Sequence, residues 1–326
     1  MEFGILGGGR WGTALGLHLS RKGHRVLIYD RNPEPVKRIN SGGHPYVEGV
    51  DLPEKMRATT SLRDLEDFEY LVCALPTQVV GEVLSGLDLK GKVIINASKG
   101  LEKGTFRRVS QIVKDIEPEA QVLALSGPSF AEEVSRGLPT AVVLGYEGKR
   151  ELAEKVRDLF NSENFRVYLN DDLVGVELGG ALKNVMAIAC GISDGLGFGH
   201  NARAALITRG LLEIARIGVR LGARKETFFG LSGAGDLILT ATSDLSRNRT
   251  FGLLLGRGLS PREALTKIGQ TVEGVETVKA LKPLIDKENI YAPITNAVYQ
   301  VVVEGRNLRE VLKEMLLRTP GEEFCL

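Results

Sequence analysis

Glu2-Phe-Gly-Ile-Leu-Gly-Gly-Gly-Arg-Trp-Gly-Thr-Ala-Leu15 runs from an apolar strand straight into a glycine-rich turn and then into a helix. Gly7, Gly9 and Gly12 carry the G-x-G-x-x-G spacing. The first glycine permits a tight turn, the second lets the backbone approach a pyrophosphate, and the third lets helix and strand pack closely. The helix, expected over Trp11 to Lys22, offers the unpaired N–H groups and the positive dipole end of its first turn to that anion. Among 39 glycines the spacing alone is not specific. Its context is: a second strand, Arg25-Val-Leu-Ile-Tyr-Asp30, follows Gly23 and ends in an acidic residue about 20 residues on, where a ribose hydroxyl partner is expected.

The bulk numbers leave room for two domains. With 326 residues and 43% hydrophobic content the chain can fill real cores. Forty-two basic residues against 41 acidic ones give a net charge of +1, so no global field points to nucleic acid or an anionic membrane. An anionic ligand must be held locally. No apolar run is read as approaching the about 18 to 20 residues of a membrane span, and the start lacks the regions of a signal peptide. A soluble cytoplasmic protein is therefore expected. Cys73, Cys190 and Cys325 make neither a disulfide framework nor a metal-ligand pattern and read as structural thiols. His18, His24, His44 and His200 are scattered, so no metal and no histidine-based acid/base site is expected.

Past Asp30, Arg31-Asn-Pro-Glu-Pro35 opens a helix that Asn40-Ser-Gly-Gly-His-Pro45 breaks into a mobile loop. Strands are expected at Met56–Thr60, Tyr70–Leu75, Lys92–Asn96, Gln121–Leu125, Thr140–Leu144 and Phe165–Tyr168. Helices are expected at Ser61–Asp67, Gln78–Leu84, Thr105–Ile116 and Gly148–Phe160. Strands alternating with helices, several apolar on both faces, imply an α/β class: a Rossmann-like, doubly wound, mostly parallel sheet covered on both sides. From Leu173 onward helical periodicity takes over, in Val174–Ile192, Ala202–Leu221, Pro261–Lys267, Val275–Lys287, Pro293–Glu304 and Leu308–Leu317. The expected division is a dinucleotide-binding domain over 1–173 and an all-helical, substrate-binding and catalytic domain over 174–326.

Ligands of a doubly wound sheet sit beyond the carboxyl ends of its strands. Four ends carry unusual residues: Gly8-Gly-Arg-Trp11, Pro76-Thr-Gln78, Asn96-Ala-Ser-Lys-Gly100 and Ser126-Gly-Pro-Ser-Phe130. Lys99 is a cation in a small-residue turn, and either a ligand contact or a solvated loop lysine. In Val176-Glu-Leu-Gly-Gly-Ala-Leu-Lys-Asn184 the helix is apolar around most of its circumference, so Lys183 needs a carboxylate or an anionic ligand unless it snorkels to the surface. Gly179 and Gly180, each costing roughly 1 kcal/mol in a helix interior, indicate a close approach to the backbone. Desolvation lowers a lysine toward the about 7 to 8 useful for proton transfer, which makes Lys183 the candidate acid/base catalyst. Gly230-Leu-Ser-Gly-Ala-Gly-Asp236 delivers Asp236 as its partner. Ser246 can cap a helix whose start adds Arg247 and Asn248, a guanidinium fork and an amide donor suited to a phosphate monoester, or merely a capped helix with solvated arginines. Gly269-Gln-Thr-Val-Glu-Gly274 reads as a loop able to close over the cofactor. On these residues alone, dehydrogenases of β-hydroxy acids or ketopantoate share the plan but need a carboxylate grip. A nucleotide-sensing regulator would leave Lys183, Asp236 and the anion site without purpose.

Together with Gly7–Gly12, Asn96–Gly100, Ser126–Ala131, Ala181–Asn184, Leu231–Leu237, Ser246–Asn248 and Val272–Gly274, the chain resembles the bacterial NAD(P)-dependent glycerol-3-phosphate dehydrogenases over nearly its whole length. The resemblance implies reversible hydride transfer between NADH or NADPH and dihydroxyacetone phosphate, giving sn-glycerol 3-phosphate for glycerophospholipid synthesis. It also implies a cytoplasmic homodimer. By the same resemblance Lys183 matches the proton acceptor, and Lys99, Gly127, Ser129, Asp236, Ser246, Arg247 and Asn248 match substrate positions. Arg10, Trp11, Arg31, Lys99, Ala131, Arg247, Thr271 and Glu273 match cofactor positions, beside Gly7, Gly9 and Gly12. Ser129 stands where threonine is also found, and Thr271 where valine is common. NAD and NADP both remain open, since Asp30 suits a ribose hydroxyl and Arg31 a 2′-phosphate.

Overall fold

Apolar segments of four to six residues, separated by helices and turns, form the strands of one sheet. The computed structural model describes residues 1–319 and 321–323; Cys325 lies outside them. The strands are β1 (Glu2–Leu6), β2 (Arg25–Tyr29), β3 (Met56–Thr59) and β4 (Tyr70–Cys73), followed by β5 (Val93–Asn96), β6 (Gln121–Ser126), β7 (Thr140–Gly145) and β8 (Phe165–Asn170). Their spatial order is β3-β2-β1-β4-β5-β6-β7-β8. Pairing is parallel from β3 through β6, with Ile5 opposite Ile28 on one side and Val72 on the other. β7 meets β6 antiparallel, and β8 follows β7 parallel. The last two strands therefore run against the other six, and β1, β2, β4, β5 and β6, whose ends carry the marked residues, send their carboxyl ends to one common edge.

Alternation along each strand feeds two cores. Phe3, Ile5, Tyr70, Val72, Val93, Ile95, Leu123 and Leu125 point to one face. Leu6, Leu71, Cys73, Ile94 and Val122 point to the other. The first face is covered by α1 (Arg10–Arg21), α2 (Pro33–Asn40), α5 (Ala131–Ser135) and α6 (Arg150–Phe160); the second by α3 (Thr77–Leu84) and α4 (Val109–Ile116). A sheet apolar on both sides is the expected signature of such double covering. Helix α4 starts at Val109, not at Thr105, because Phe106 adopts a left-handed φ of 62° and Arg108 is extended, its N–H held by Gln111. The loop over Asn40–Pro45 is pinned rather than mobile: Leu52 N donates to Gly42 O, and His44 is buried.

Two compact units divide the chain. One comprises Met1–Lys99 and Arg107–Val176; the other takes in Gly100–Phe106 and the chain from Glu177 onward. Beyond Asn170 the described residues contain no strand. The helices are α7 (Leu173–Gly195), α8 (Gly199–Arg220), α9 (Asp236–Thr242) and α10 (Arg247–Gly256), then α11 (Pro261–Ile268), α12 (Glu273–Lys287), α13 (Pro293–Val302) and α14 (Leu308–Leu316). Helix α7, 23 residues long, does have the length and composition of a membrane span, contrary to the reading that no apolar run approaches one. Burial of 89% of its most apolar window makes it a core helix instead.

In the second unit α7 and α10 cross with their backbones almost touching. A Cβ on Gly191 would lie 2.0 Å from Arg249 O, and one on Gly252 would lie 2.0 Å from Ile188 O. Gly195 and Gly256 repeat the fit one turn on. Four glycines at i, i+4 on facing helices thus fix the distance between the helix that carries Lys183 and the helix that starts at Arg247.

Candidate active site

The glycine turn after β1 is built as a cradle. Gly7 takes φ 106°, and a Cβ there would meet Ala74 O at 2.8 Å. A Cβ on Gly12 would sit 1.9 Å from Gly7 O, so the third glycine is required by the packing of α1 on the turn. At Gly9 a Cβ would meet nothing within 4 Å, which leaves open space beside the backbone. Gly9 is also the N-cap of α1 and supplies no side-chain acceptor, so the N–H groups of the first turn lack a protein cap. Trp11 adds a buried indole Nε1 without a hydrogen-bond partner. Room, free donors and a positive helix end fit the pyrophosphate of a dinucleotide.

Gly8 is held at both ends of its residue. Its N–H donates to Asp30 Oδ2 at 2.9 Å, while its carbonyl accepts from Thr13 Oγ1 at 3.1 Å and from the Tyr46 hydroxyl at 2.9 Å. The other Asp30 oxygen accepts from Asn32 N at 2.8 Å. Asp30, expected as a ribose partner, therefore holds the turn with one oxygen and the start of α2 with the other. Arg10 lies over the Tyr46 ring, 5.6 Å from its centroid, and Arg31 is exposed just past β2. Tyr46 was not singled out in the sequence, because its loop has no periodicity to place it beside the turn.

At the common strand edge two expected residues, Lys99 and Ser129, converge on an atom of a third, Gly127. Gly127 O accepts from Lys99 Nζ and from Ser129 Oγ, each at 3.0 Å. Gly127 has φ 135°, and a Cβ there would press on Val142 Cα at 3.0 Å. Ala131 begins α5 three residues later on the chain than Pro128. Asn96 Oδ1 accepts from Ser98 N at 2.9 Å, which shapes the turn that presents Lys99.

In the second unit Lys183 is 6% exposed and Asp236 2%. Lys183 Nζ donates to Asp236 Oδ1 at 2.8 Å and to Thr240 Oγ1 at 2.7 Å. Thr240 Oγ1 in turn donates to Asp236 O at 2.6 Å, as the residue one turn on in α9. The ammonium is thus anchored by a carboxylate and a hydroxyl, as a buried lysine must be. Close approach at Gly179 comes from the chain itself, since its Cβ would meet Ser232 O at 2.7 Å in the π-turn Leu231–Gly235 that leads into Asp236. Thr240 escaped sequence reasoning; its signal was the i, i+4 spacing from Asp236.

Ser246 is buried, and its hydroxyl caps α10 by accepting from Arg249 N at 3.1 Å. Arg247 is exposed at the first helical position, its guanidinium 3.4 Å from Gln270 Oε1. Asn248 Nδ2 donates to Asn184 Oδ1 at 3.0 Å, and its Oδ1 accepts from Gly274 N at 2.8 Å. The amide expected as a ligand donor thereby ties α7, α10 and α12 together, with one N–H left over. Glu273 opens α12 rather than a free loop, and Thr271 is exposed just before it. Burial raises the Glu273 carboxyl to about 7, with Arg247 opposing the shift and Glu276 adding to it. Beneath these groups Arg249 donates to Asp194 and Asp244, at 2.8 and 2.5 Å, which fixes the start of α10 to the end of α7.

Known proteins match this arrangement from end to end. The family model for the NAD-dependent glycerol-3-phosphate dehydrogenase N-terminus matches residues 2–152, and that for the C-terminus of the same enzymes matches residues 172–313. A glycerol-3-phosphate dehydrogenase (NAD(P)+) of Clostridium perfringens is 44% identical over 327 residues, covering 98% of each chain. Its namesake in Nitratidesulfovibrio vulgaris is 46% identical over 333 residues, covering 99% of this chain and 100% of its own. The crystal structure of glycerol-3-phosphate dehydrogenase from Coxiella burnetii superposes with a TM-score of 0.92 at 38% identity, over 97% of this chain and 99% of its own. The chain belongs to the NAD-dependent glycerol-3-phosphate dehydrogenase family.

Proposed function

We propose that this protein is an NAD(P)-dependent sn-glycerol-3-phosphate dehydrogenase that interconverts dihydroxyacetone phosphate and sn-glycerol 3-phosphate. The buried contact of Lys183 with Asp236 and Thr240, in a chain of this family, is the observation that carries the reading. NADH or NADPH supplies a hydride for the C2 carbonyl. Gly7, Gly9 and Gly12, with Arg10, Trp11, Arg31 and Ala131, would hold that cofactor; Arg247, Thr271 and Glu273 complete the set, and Lys99 belongs to both cofactor and substrate.

The chain's own chemistry is proton transfer and grip. Lys183, as an ammonium, gives its proton to the oxygen that develops negative charge at C2, and as a neutral amine takes it back in the reverse direction. Asp236 and Thr240 keep its Nζ in place. The α10 start, with Ser246, Arg247 and Asn248, grips the substrate phosphate through a guanidinium fork and the positive end of the helix dipole. Lys99, Gly127 and Ser129 act on the substrate's remaining oxygens.

Cytoplasmic location, a homodimer and a product destined for glycerophospholipids follow from the family and complete the proposal. A steady-state assay with dihydroxyacetone phosphate, comparing NADH with NADPH, tests it. Turnover that requires the substrate phosphate and is inhibited competitively by inorganic phosphate is the expected result; turnover of β-hydroxy acids instead would overturn it. Sedimentation of the purified protein tests the dimer.

A further inference from the structure

The mechanism uses no histidine, yet His44 is 3% exposed and makes three hydrogen bonds. Its Nδ1 accepts from Tyr46 N and Val47 N, both at 3.1 Å, and its Nε2 lies 3.0 Å from Ser135 Oγ. Two N–H groups aimed at Nδ1 require a lone pair there. The proton therefore sits on Nε2 and is donated to Ser135. One imidazole thus closes the turn that carries Tyr46 and ties it to α5, the helix that begins at Ala131.

Tyr46 passes this order to the glycine turn. Its hydroxyl donates to Gly8 O, and its ring supports the Arg10 guanidinium. His44 itself touches neither Gly8 nor Arg10 in any bond of the network. We propose that His44 is a positioning residue for the dinucleotide-binding turn, acting through Tyr46 to fix the Gly8 carbonyl and Arg10 before the cofactor arrives. A turn fixed in advance loses less freedom when it binds, so the contribution is to cofactor affinity and not to the chemical step. The inference rests on the reading of Gly7–Gly12 as the cofactor cradle.

The test uses the full-length enzyme and its single tryptophan, Trp11, which lies in the turn and reports cofactor binding by fluorescence. His44→Ala is expected to raise the KM and the fluorescence Kd for the reduced cofactor about tenfold, with kcat and the KM for dihydroxyacetone phosphate changed less than twofold. His44→Asn places a carbonyl oxygen where Nδ1 was and restores most of the affinity. His44→Gln replaces the Nε2 end only and does not. Tyr46→Ala, which removes the hydroxyl on Gly8 and the ring under Arg10 together, reproduces the loss, and adding His44→Ala to it produces no further loss, because the two act in one chain of contacts. Equal cofactor affinity in His44→Asn and His44→Gln, or additive losses in the double variant, would overturn the proposal, and this comparison stands even if His44→Ala fails to fold. A wild-type enzyme whose Trp11 fluorescence does not respond to NADH or NADPH would instead sink the cradle reading itself.

Discussion

Lys183 Nζ lies 2.8 Å from Asp236 Oδ1, with the two side chains 8% and 2% exposed. Taking both charges from water is costly, and their attraction and the Thr240 hydroxyl offset that cost only while both are present. Removing one partner of such a pair costs about 3–5 kcal/mol, whereas replacing both with apolar side chains is often neutral. Asp236→Leu is therefore expected to destabilise the protein by about that amount. The double variant Lys183→Met with Asp236→Leu should recover most of the loss in urea denaturation and remain inactive. Lys183→Ala should lower kcat by about 10²–10⁴, the usual worth of a general acid. Trp11 fluorescence should show cofactor binding nearly intact. A Lys183→Ala enzyme that keeps its kcat would remove this lysine from the chemistry.

Arg247 is exposed, with its guanidinium 3.4 Å from Gln270 Oε1. Its replacement should leave stability unchanged and act on substrate grip. Lysine keeps the charge but loses the planar fork that matches a phosphate. Arg247→Lys is expected to raise the KM for dihydroxyacetone phosphate roughly tenfold with a smaller effect on kcat, which marks lost uniform binding. An equal fall of kcat and kcat/KM with KM unchanged would place Arg247 at the transition state instead.

The parts of the fold with a local cause were legible. Gly7, Gly9 and Gly12 announced the turn, and an apolar helix with one lysine announced that Lys183 needed a partner. Ser246 read as a cap and is one. The direction of β7 was not legible, since five of the six residues of Thr140–Gly145 are buried and the apolar pattern is the same whichever way it runs. Asn184 was missed for another reason: its contact with Asn248 lies 64 residues away in sequence, and single-sequence periodicity is blind to such distances. His44 looked like one of four scattered histidines, because a buried hub is defined by what surrounds it. Asp30 carries more than its position at the end of β2 announced, since its carboxylate also accepts from Gly8 N and Asn32 N.

The α7–α10 crossing carries a stability prediction that becomes a functional one. A methyl at Gly252 would lie 2.0 Å from Ile188 O and 2.9 Å from Ile192 N, all backbone, so the helices must separate. Overpacking of this kind costs typically 1–3 kcal/mol. Gly252→Ala is expected to lower Tm by about 2–12 °C, at roughly 2–4 °C per kcal/mol for a unit of this size. Because Asn248 joins the same two helices through Asn184, the KM for dihydroxyacetone phosphate should rise with it. Gly258→Ala, at a turn with φ 98° but open space around it, should cost stability without moving KM.

His18 and His44 give the protein an acid limb with a definite sign. Burial pushes each down to about 4, with the charges of Lys22 and Arg21 adding to it at His18 and those of Arg21 and Arg10 at His44. The hydrogen bond from the His18 ring to Phe160 O opposes the shift. Since the unfolded chain protonates near 6.5 and the folded one does not, unfolding takes up protons below that pH. The stability these neutral rings allow is fully present above pH 6.5 and is lost as pH falls toward 4. Each should cost about 2 kcal/mol by pH 5. Carboxylates titrate in the same range, so the comparison is between proteins. Urea denaturation at pH 7, 6 and 5 should show a shallower loss in His44→Asn and in His18→Gln than in the unaltered protein. Parallel profiles in all three would mean that these imidazoles take up protons in the folded state as readily as in the unfolded one.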